Sequence, residues 1–284
     1  MFSTARSPFP ACSSFLLASS SLYMFQLTPT VRNLLIANVV FFLLDNLMPG
    51  GLGLLALYPV GSQFFQPWQF LTYMFMHGGI GHIFSNMFGL MVFGPLLEQR
   101  WGGQRFLTFW LICGLGSGML YSGLRYYEMN KMRHDIEVFQ QDPSDVHLMD
   151  FVQNNFKAYA EAYKPNISQL HETPNDQRLI QDILTDMGKA YEGSLNLPMV
   201  GASGALFGVL FAFAYLFPNT TLFIFPLPVP VKAKYLVPVY GLYELYSSVN
   251  QVPGDNVAHF AHVAGLLVGF VLVMFWERGR KQFY

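Results

Sequence analysis

Six apolar segments of about 15 to 20 residues run along the chain, and they constrain its fold more than any other feature. Segments of this length are compatible with crossing the hydrocarbon core of a bilayer as helices. The composition agrees, because 52% of the residues are hydrophobic and only 12% are charged, which is unusual for a soluble globular domain. We therefore predict an all-α polytopic membrane protein with six spanning helices. They are placed near residues 31–48, 81–97, 106–121, 203–217, 235–249 and 257–276.

The positions of lysine and arginine predict the orientation of these helices, since short cytoplasmic loops are enriched in both residues. With a cytoplasmic N-terminus, nine basic residues lie on the inner side, and the short outer loops, 49–80 and 250–256, contain none. We therefore expect both termini to be cytoplasmic, and the host membrane to be the cell (inner) membrane of a bacterium. The nine inner residues are Arg6, Arg32, Arg100, Arg105, Lys232, Lys234, Arg278, Arg280 and Lys281.

A polar block at about 123–200 interrupts the apolar pattern. It holds 19 of the 33 charged residues, all between positions 125 and 192. Helix-start signatures begin at Asp142 and at Thr173, and each precedes apolar residues at helical spacing. We predict a helical insertion on the outer face, between the third and fourth spanning helices, folded as a helical hairpin.

Residues 24–284 are predicted to form one membrane domain that this insertion interrupts. The first 23 residues are Ser-rich with a single basic residue, and they are either a disordered tail or an over-long start. Cys12 and Cys113 provide neither a disulfide framework nor a structural metal site. No basic stretch is interleaved with aromatic residues as in nucleic-acid surfaces, so we expect no nucleic acid partner.

The second, fourth and sixth spans all run from outside to inside, so their N-terminal turns lie at one depth, and each carries polar residues there. The fourth opens with Gly201-Ala202-Ser203-Gly204. A serine at a helix start, flanked by glycines, can be exposed beside unpaired backbone N–H groups, as a nucleophile requires. The alternative is a helix cap with small residues for close helix packing.

The sixth span carries His259 and His262, and a histidine is the base that a serine nucleophile needs. Gly265 lies one turn beyond His262, where a missing side chain would let the two helices approach closely enough for a Ser203–His262 hydrogen bond. Two histidines at this spacing could instead bind a metal ion. No HExxH motif is present, however, and no nearby acidic cluster completes a ligand set.

The second span supplies His82 and Asn86, which lie on one face of a helix. Both can donate hydrogen bonds, so together with the Ser203 backbone N–H they could line an oxyanion hole; a buried polar pair satisfied by another helix is the alternative. Phe207, one turn after Ser203, could stack on the His262 imidazole.

Several ordered motifs together resemble the rhomboid family of intramembrane proteases, from about residue 24 onward except in the insertion. They are PWQFLTY at 67–73, MHGG at 76–79 with the following His82/Asn86 pair, EQRWG at 98–102, GASG at 201–204 and AHVAG at 261–265. The resemblance implies a six-helix rhomboid-like bundle.

The resemblance also implies a role for each site residue. Ser203 would be the nucleophile, His262 the general base and acid, and His82 and Asn86 the oxyanion donors. Such dyads lack the third, orienting carboxylate of the soluble serine proteases, and no metal ion or organic cofactor is implied.

The expected activity is that of an intramembrane serine endopeptidase, which hydrolyses peptide bonds in or next to transmembrane helices of membrane-protein substrates. The alternative is a catalytically inactive rhomboid-like protein that binds membrane helices. A transporter or channel would show paired charges within the membrane, whereas Asp45 and Glu244, the acidic residues of the spans, have no obvious relation to the motifs. The expected partners are transmembrane substrates and the lipid bilayer, and the sequence leaves the oligomeric state open.

Overall fold

A computed structural model describes residues 27–48, 50, 53–224, 229–250 and 257–278, and most of them are helical. The predicted N-terminal tail or over-long start, residues 1–23, lies outside the described residues. The α-helices are α1 Pro29–Leu47, α2 Gln69–Thr72, α3 Ile80–Trp101, α4 Gly103–Gln141, α5 Asp145–Asn155, α6 Ala160–Glu172, α7 Gln177–Leu195, α8 Ser203–Leu216, α9 Ala233–Val249 and α10 His259–Trp276. Short 3₁₀ turns cover Gly53–Leu55, Tyr73–Phe75 and Lys157–Tyr159, and an antiparallel ribbon pairs β1 Thr221–Ile224 with β2 Val229–Lys232.

The six predicted spans correspond to α1, α3, α4, α8, α9 and α10. Four of these helices, α1, α3, α4 and α10, are long and apolar enough to cross a membrane, and α8 is a shorter apolar helix. The prediction of an all-α polytopic membrane protein is confirmed. The β1–β2 ribbon between α8 and α9 was not predicted.

The central helix of the bundle is α8, which contacts α3, α4, α9 and α10. Ten of its 14 residues are buried, as expected for a helix that is apolar on every side. Glycines let α10 lie against it: a Cβ at Gly265 would overlap the backbone of Gly204, and one at Gly269 would lie 2.8 Å from the Gly208 carbonyl oxygen. Small residues at such crossings allow the close backbone contact that helix packing in membranes requires.

The last turn of α3 holds the start of α1 and the end of α10 through its charged residues. The Glu98 carboxylate accepts hydrogen bonds of 2.9 Å from the backbone N–H groups of Thr30 and Val31. These N–H groups lie in the first turn of α1, where the helix itself provides no acceptor. Nearby, Arg100 donates to Glu277 at 2.7 Å. The acidic and basic residues of the EQRWG motif therefore attach α1 and the end of α10 to α3.

The loop region between α1 and α3 is ordered around Gln69, whose side chain is fully buried. Its amide donates to the carbonyl oxygens of Leu54 at 2.9 Å and Phe64 at 2.8 Å. The same loop pairs with the segment before α8, because Leu57 and Met199 exchange two backbone hydrogen bonds of 2.8 and 2.9 Å. The loop thus supports the chain that leads to Ser203.

The polar block forms a helical subdomain on the extended end of α4. Instead of ending near residue 121, α4 continues to Gln141, because no proline or glycine follows Gly123 and its apolar residues Met129, Met132 and Phe139 remain buried. Their partners are the buried residues of α5, α6 and α7: Leu148, Phe151, Val152, Leu170, Ile180, Ile183 and Met187.

The prediction of a helical hairpin in this block is wrong in the number of helices, since three helices follow α4: α5 and α7 pack on its end, and α6 packs on α5. The predicted helix starts are also displaced. Ser144 rather than Asp142 caps α5, by accepting from the His147 N–H. Asp176 rather than Thr173 caps α7. In both cases the capping side chain lies closer to the first helical turn, where it reaches the unpaired N–H groups.

Candidate active site

Ser203 is the first residue of α8, and the backbone before it is held in a fixed position. Gly201 adopts a φ of 124°, a conformation that side-chain-bearing residues rarely adopt. Its N–H donates to the Tyr73 carbonyl oxygen at 2.9 Å. The first N–H groups of a helix have no partner within it and carry the positive end of the helix dipole. Ser203 therefore lies where negative charge on a neighbouring oxygen is stabilised.

His262 lies in the first turn of α10, opposite Ser203. Its Nε2 is 2.8 Å from the Ser203 Oγ, a hydrogen-bond distance. Phe207 stacks on the His262 ring, with the ring centroids 4.2 Å apart and an interplanar angle of 11°. The structure brings these three predicted site residues together, and the aromatic face limits the orientations that the imidazole can adopt.

Ser117 of α4, which the sequence did not single out, fixes the crossing of α8 and α10. Its buried hydroxyl donates to the Ala261 carbonyl oxygen at 2.6 Å. The same hydroxyl occupies the space beside Gly204, where a Cβ would overlap it. A single serine in an apolar span forms no motif, so the sequence alone could not reveal this contact between distant helices.

His82 and Asn86 lie on α3, against the backbone that precedes Ser203. A Cβ on Gly201 would lie 2.7 Å from the His82 Nε2 and 3.6 Å from the Asn86 Nδ2. The Gly78 N–H is 3.3 Å from the His82 Nδ1 and donates to it, so Nδ1 is an acceptor and Nε2 carries the ring proton. His82 therefore presents an N–H donor toward the segment that carries Ser203.

The Asn86 side-chain amide is a buried hydrogen-bond donor that lacks an acceptor among the described residues. Asn86 is only 3% exposed, and within the described part of the chain its Nδ2 has no hydrogen-bond partner. A buried donor without a partner costs about 1–3 kcal/mol, so such groups need a reason to exist. An oxyanion that forms only during a reaction would supply the missing acceptor.

Glu244 of α9 was missed by the sequence interpretation. Its Oε2 accepts hydrogen bonds from the His262 Nδ1 at 2.8 Å and from the His259 Nδ1 at 2.6 Å. The statement that Glu244 has no relation to the motifs is therefore wrong, and so is the expectation that no carboxylate orients His262. A signal was present, because an acidic residue in an apolar span needs a buried partner, and the two histidines are suitable partners.

The same three side chains reopen the question of a metal site, since Glu244, His259 and His262 each offer one ligand atom within 4.8 Å of the others. Two ligands of one tetrahedral zinc ion, with bonds of about 2.1 Å, lie about 3.4 Å apart. The observed O···N distances of 2.6 and 2.8 Å are hydrogen-bond distances instead. The cluster thus has the geometry of a carboxylate with two N–H donors, and the absence of a metal cofactor stays a prediction.

The family model described as the Rhomboid domain matches residues 65–130 and 179–278, which together make up more than half of the chain. The chain belongs to the rhomboid family. The matched residues include Ser203, His262 and Glu244, whereas most of the insertion lies between the two matched segments. This match confirms the resemblance stated from the motifs and the rhomboid-like class of the fold.

Curated rhomboid relatives are similar to this chain over different lengths. RHOMBOID-like protein 12, mitochondrial, of Arabidopsis thaliana is 23% identical over 74% of this chain and 46% of its own length. An uncharacterized mitochondrial rhomboid protein of Schizosaccharomyces pombe is 24% identical over 74% of this chain and 52% of its own length. RHOMBOID-like protein 6, mitochondrial, of A. thaliana is 40% identical over 19% of this chain and 18% of its own length. The chain thus spans about half the length, or less, of these relatives.

Proposed function

We propose that this rhomboid-family protein is an intramembrane serine endopeptidase, which hydrolyses peptide bonds in or next to the transmembrane helices of membrane-protein substrates. The observation that carries the proposal is the 2.8 Å contact between Ser203 Oγ and His262 Nε2 at the start of α8. A serine in hydrogen-bond contact with a histidine base is the arrangement that activates a weak nucleophile.

The reaction follows from the groups around Ser203. As Oγ attacks the substrate carbonyl carbon, its proton passes to His262 Nε2. The carbonyl oxygen becomes an oxyanion, which the Ser203 N–H, the His82 Nε2–H and the Asn86 amide stabilise. His262 then gives its proton to the departing amine, which leaves an acyl-enzyme on Ser203. A water molecule, deprotonated by His262, hydrolyses this ester and restores the serine.

The alternative is an inactive rhomboid-like protein that binds membrane helices without cutting them. Such a binder gains nothing from a serine hydroxyl hydrogen-bonded to a histidine, or from a buried amide donor that is unpaired among the described residues. Retaining Asn86 in this state lowers stability, whereas a developing oxyanion gives the amide a partner. The site therefore favours the protease.

The orientation and location are part of the same proposal. The chain is an integral membrane protein, and we infer cytoplasmic N- and C-termini from the lysine and arginine positions. The bacterial cell membrane stays a prediction, and the relatives compared above are plant and yeast proteins. The proposed partners are transmembrane protein substrates and the surrounding lipid.

A serine-reactive fluorophosphonate probe tests the proposal on detergent-solubilised protein. We expect the parent to be labelled and to cleave a model transmembrane substrate in liposomes. Ser203→Ala should abolish both, while Ser248→Ala, which alters a partly exposed serine on α9, should keep both. Undiminished labelling of Ser203→Ala would refute the nucleophile assignment. A folded parent that binds the substrate helix without labelling or cleavage would favour the inactive binder.

A further inference from the structure

Glu244 is an acidic residue inside the apolar bundle, only 2% exposed. Placing a carboxylate in the interior of a membrane protein costs free energy unless other groups satisfy it. Here both histidines of the first turn of α10 converge on one of its oxygens, Oε2. The carboxylate thus ties α9 to the turn of α10 that carries the histidine in contact with Ser203.

The hydrogen bonds determine where the protons of His262 lie. An ionised carboxylate can only accept, so the His262 Nδ1 must carry a proton to donate to Glu244. In the neutral imidazole the other nitrogen, Nε2, is then an acceptor, and it is 2.8 Å from the Ser203 Oγ. The opposite tautomer, protonated on Nε2, would face the serine with a donor and could not take its proton.

We propose that Glu244 is a positioning residue that completes a Ser203–His262–Glu244 triad. Its carboxylate selects the His262 tautomer that can accept the serine proton. It also stabilises the imidazolium that forms when Ser203 attacks. This inference rests on the proposed protease function and adds the orienting carboxylate that the two-residue dyad lacked.

His259 has a different part in the same cluster. Its Nδ1 donates to the same Glu244 oxygen at 2.6 Å, and its ring lies edge-on to Tyr243, with centroids 6.1 Å apart. This second donor holds the carboxylate in place and favours its ionised form. His259 therefore positions Glu244, and through it His262, without facing Ser203.

The first test compares turnover in Glu244→Gln with that in Asp45→Asn, which makes the same carboxylate-to-amide change in another span. We expect Glu244→Gln to lower kcat between about 10²- and 10⁴-fold with little change in KM, because a misplaced tautomer impairs proton transfer rather than substrate binding. Asp45→Asn should keep the parental kcat. Glu244→Asp, which retains the charge, should recover part of the loss. A folded Glu244→Gln variant with the parental kcat would overturn the proposal.

The second test observes the tautomer directly, by ¹⁵N NMR of the histidine-labelled parent in detergent micelles. We expect His262 to be protonated on Nδ1 and unprotonated on Nε2, with its signal assigned by loss in His262→Asn. Glu244→Gln should remove the downfield Nδ1–H resonance. A parent that is labelled by fluorophosphonate but carries the His262 proton on Nε2 would overturn the role of Glu244 alone. An unlabelled parent with the expected tautomer would overturn the proposed function alone.

Metal chelation gives a third arm, because Glu244, His259 and His262 are also possible ligands. Turnover and the His262 tautomer should be unchanged after treatment with EDTA and exhaustive dialysis. Loss of turnover on chelation, with recovery on adding zinc, would show that the carboxylate serves a metal ion, and the positioning role would be wrong.

Discussion

The membrane bundle and the insertion at 123–200 both bury an apolar core, but only the bundle also buries polar side chains among the described residues. Every polar or charged side chain that is buried among the described residues lies outside the insertion, and those of the candidate site are Asn86, Glu244, His259 and His262. In the insertion, the buried cluster around Phe151 is wholly apolar, and the salt bridges Lys164–Glu161 and Lys189–Asp186 are exposed. Water solvates the charges of one region, whereas lipid forces the polar groups of the other inward.

This contrast teaches where chemistry can be placed in the chain. In a bundle surrounded by lipid, buried polar groups are costly, so each needs a structural or catalytic reason to be there. In the insertion, histidines such as His134, His147 and His171 lie on helices whose shared core is apolar. We therefore assign all catalytic groups to the bundle and none to the insertion.

The largest expected effect separates a bundle histidine from an insertion histidine. His262→Ala should reduce the rate of fluorophosphonate labelling at least about 10⁴-fold, since the serine loses its base. His171→Ala, which alters an exposed histidine of α6, should label at the parental rate. Comparable labelling of the two variants would abolish the distinction between the regions.

The oxyanion donors should give the next largest effect. His82→Ala and Asn86→Ala should each lower kcat by up to about 10²-fold, with partial activity remaining because the Ser203 N–H is retained. Asn86→Ala removes an unpaired buried donor, so its melting temperature should not fall as its activity does. Asn46→Ala on α1 is the matched control, since that amide is exposed. If both site variants cleave a model substrate at the parental rate, His82 and Asn86 have only a structural role.

A core substitution in the insertion should change stability without changing chemistry. Phe151→Ala should destabilise the insertion by about 3–5 kcal/mol, because its ring is fully buried in the apolar cluster that the end of α4 shares with α5, α6 and α7. Hydrogen exchange in α5, α6 and α7 should accelerate, while the labelling rate at Ser203 stays that of the parent. Met149→Ala, at a half-exposed position on the same helix, should leave exchange nearly unchanged. A collapse of labelling in Phe151→Ala would show that the two regions are coupled.

Replacing residues 130–190 with a short Gly/Ser linker tests whether the bundle can form the active site without the insertion. Two contacts at the base of the insertion lie outside this range and would be kept. Arg125 donates to the Ser194 carbonyl oxygen at 2.9 Å within the base, and Ser62 of the bundle donates to Asn196 at 2.7 Å. Loop-closure entropy changes slowly with length, so the bundle should fold and label at nearly the parental rate, although its preference among substrates can shift. A variant that melts cooperatively and elutes as a folded species but no longer labels would show that the insertion helps build the active site.

The smallest effect is expected at an exposed pair in the insertion. The hydrogen bond from His171 lowers the pKa of the Asp145 carboxyl. A carboxyl with a depressed folded-state pKa contributes stability above its unfolded pKa, and loses it as pH falls through the folded-state value. Asp145→Asn should thus lower the melting temperature slightly near pH 7 and not at all at strongly acidic pH, because exposed pairs are worth little. A large change at pH 7 would mean that the insertion depends on surface charge.

Much of the site was accessible from local sequence patterns. The six apolar segments correspond to α1, α3, α4, α8, α9 and α10. The glycine-flanked Ser203, the His262 turn and the His82/Asn86 pair were each visible as motifs. The structure brings these residues together near the N-terminal ends of α3, α8 and α10, while their catalytic roles stay predictions. The helix count of the insertion was not accessible, because the apolar residues after the first cap keep helical spacing although α5 ends at Asn155 and α6 begins at Ala160.

The sequence by itself determined that this chain is a rhomboid-family membrane protein, because lipid selects long apolar helices and the motifs are short and contiguous. Only the tertiary structure decided that Glu244 contacts His259 and His262, since that depends on the rotation of α9 about its axis against α10. The same holds for the hydrogen bond from the Ser117 hydroxyl to the Ala261 carbonyl oxygen. Contacts between distant segments depend on how whole helices pack, which no local pattern encodes.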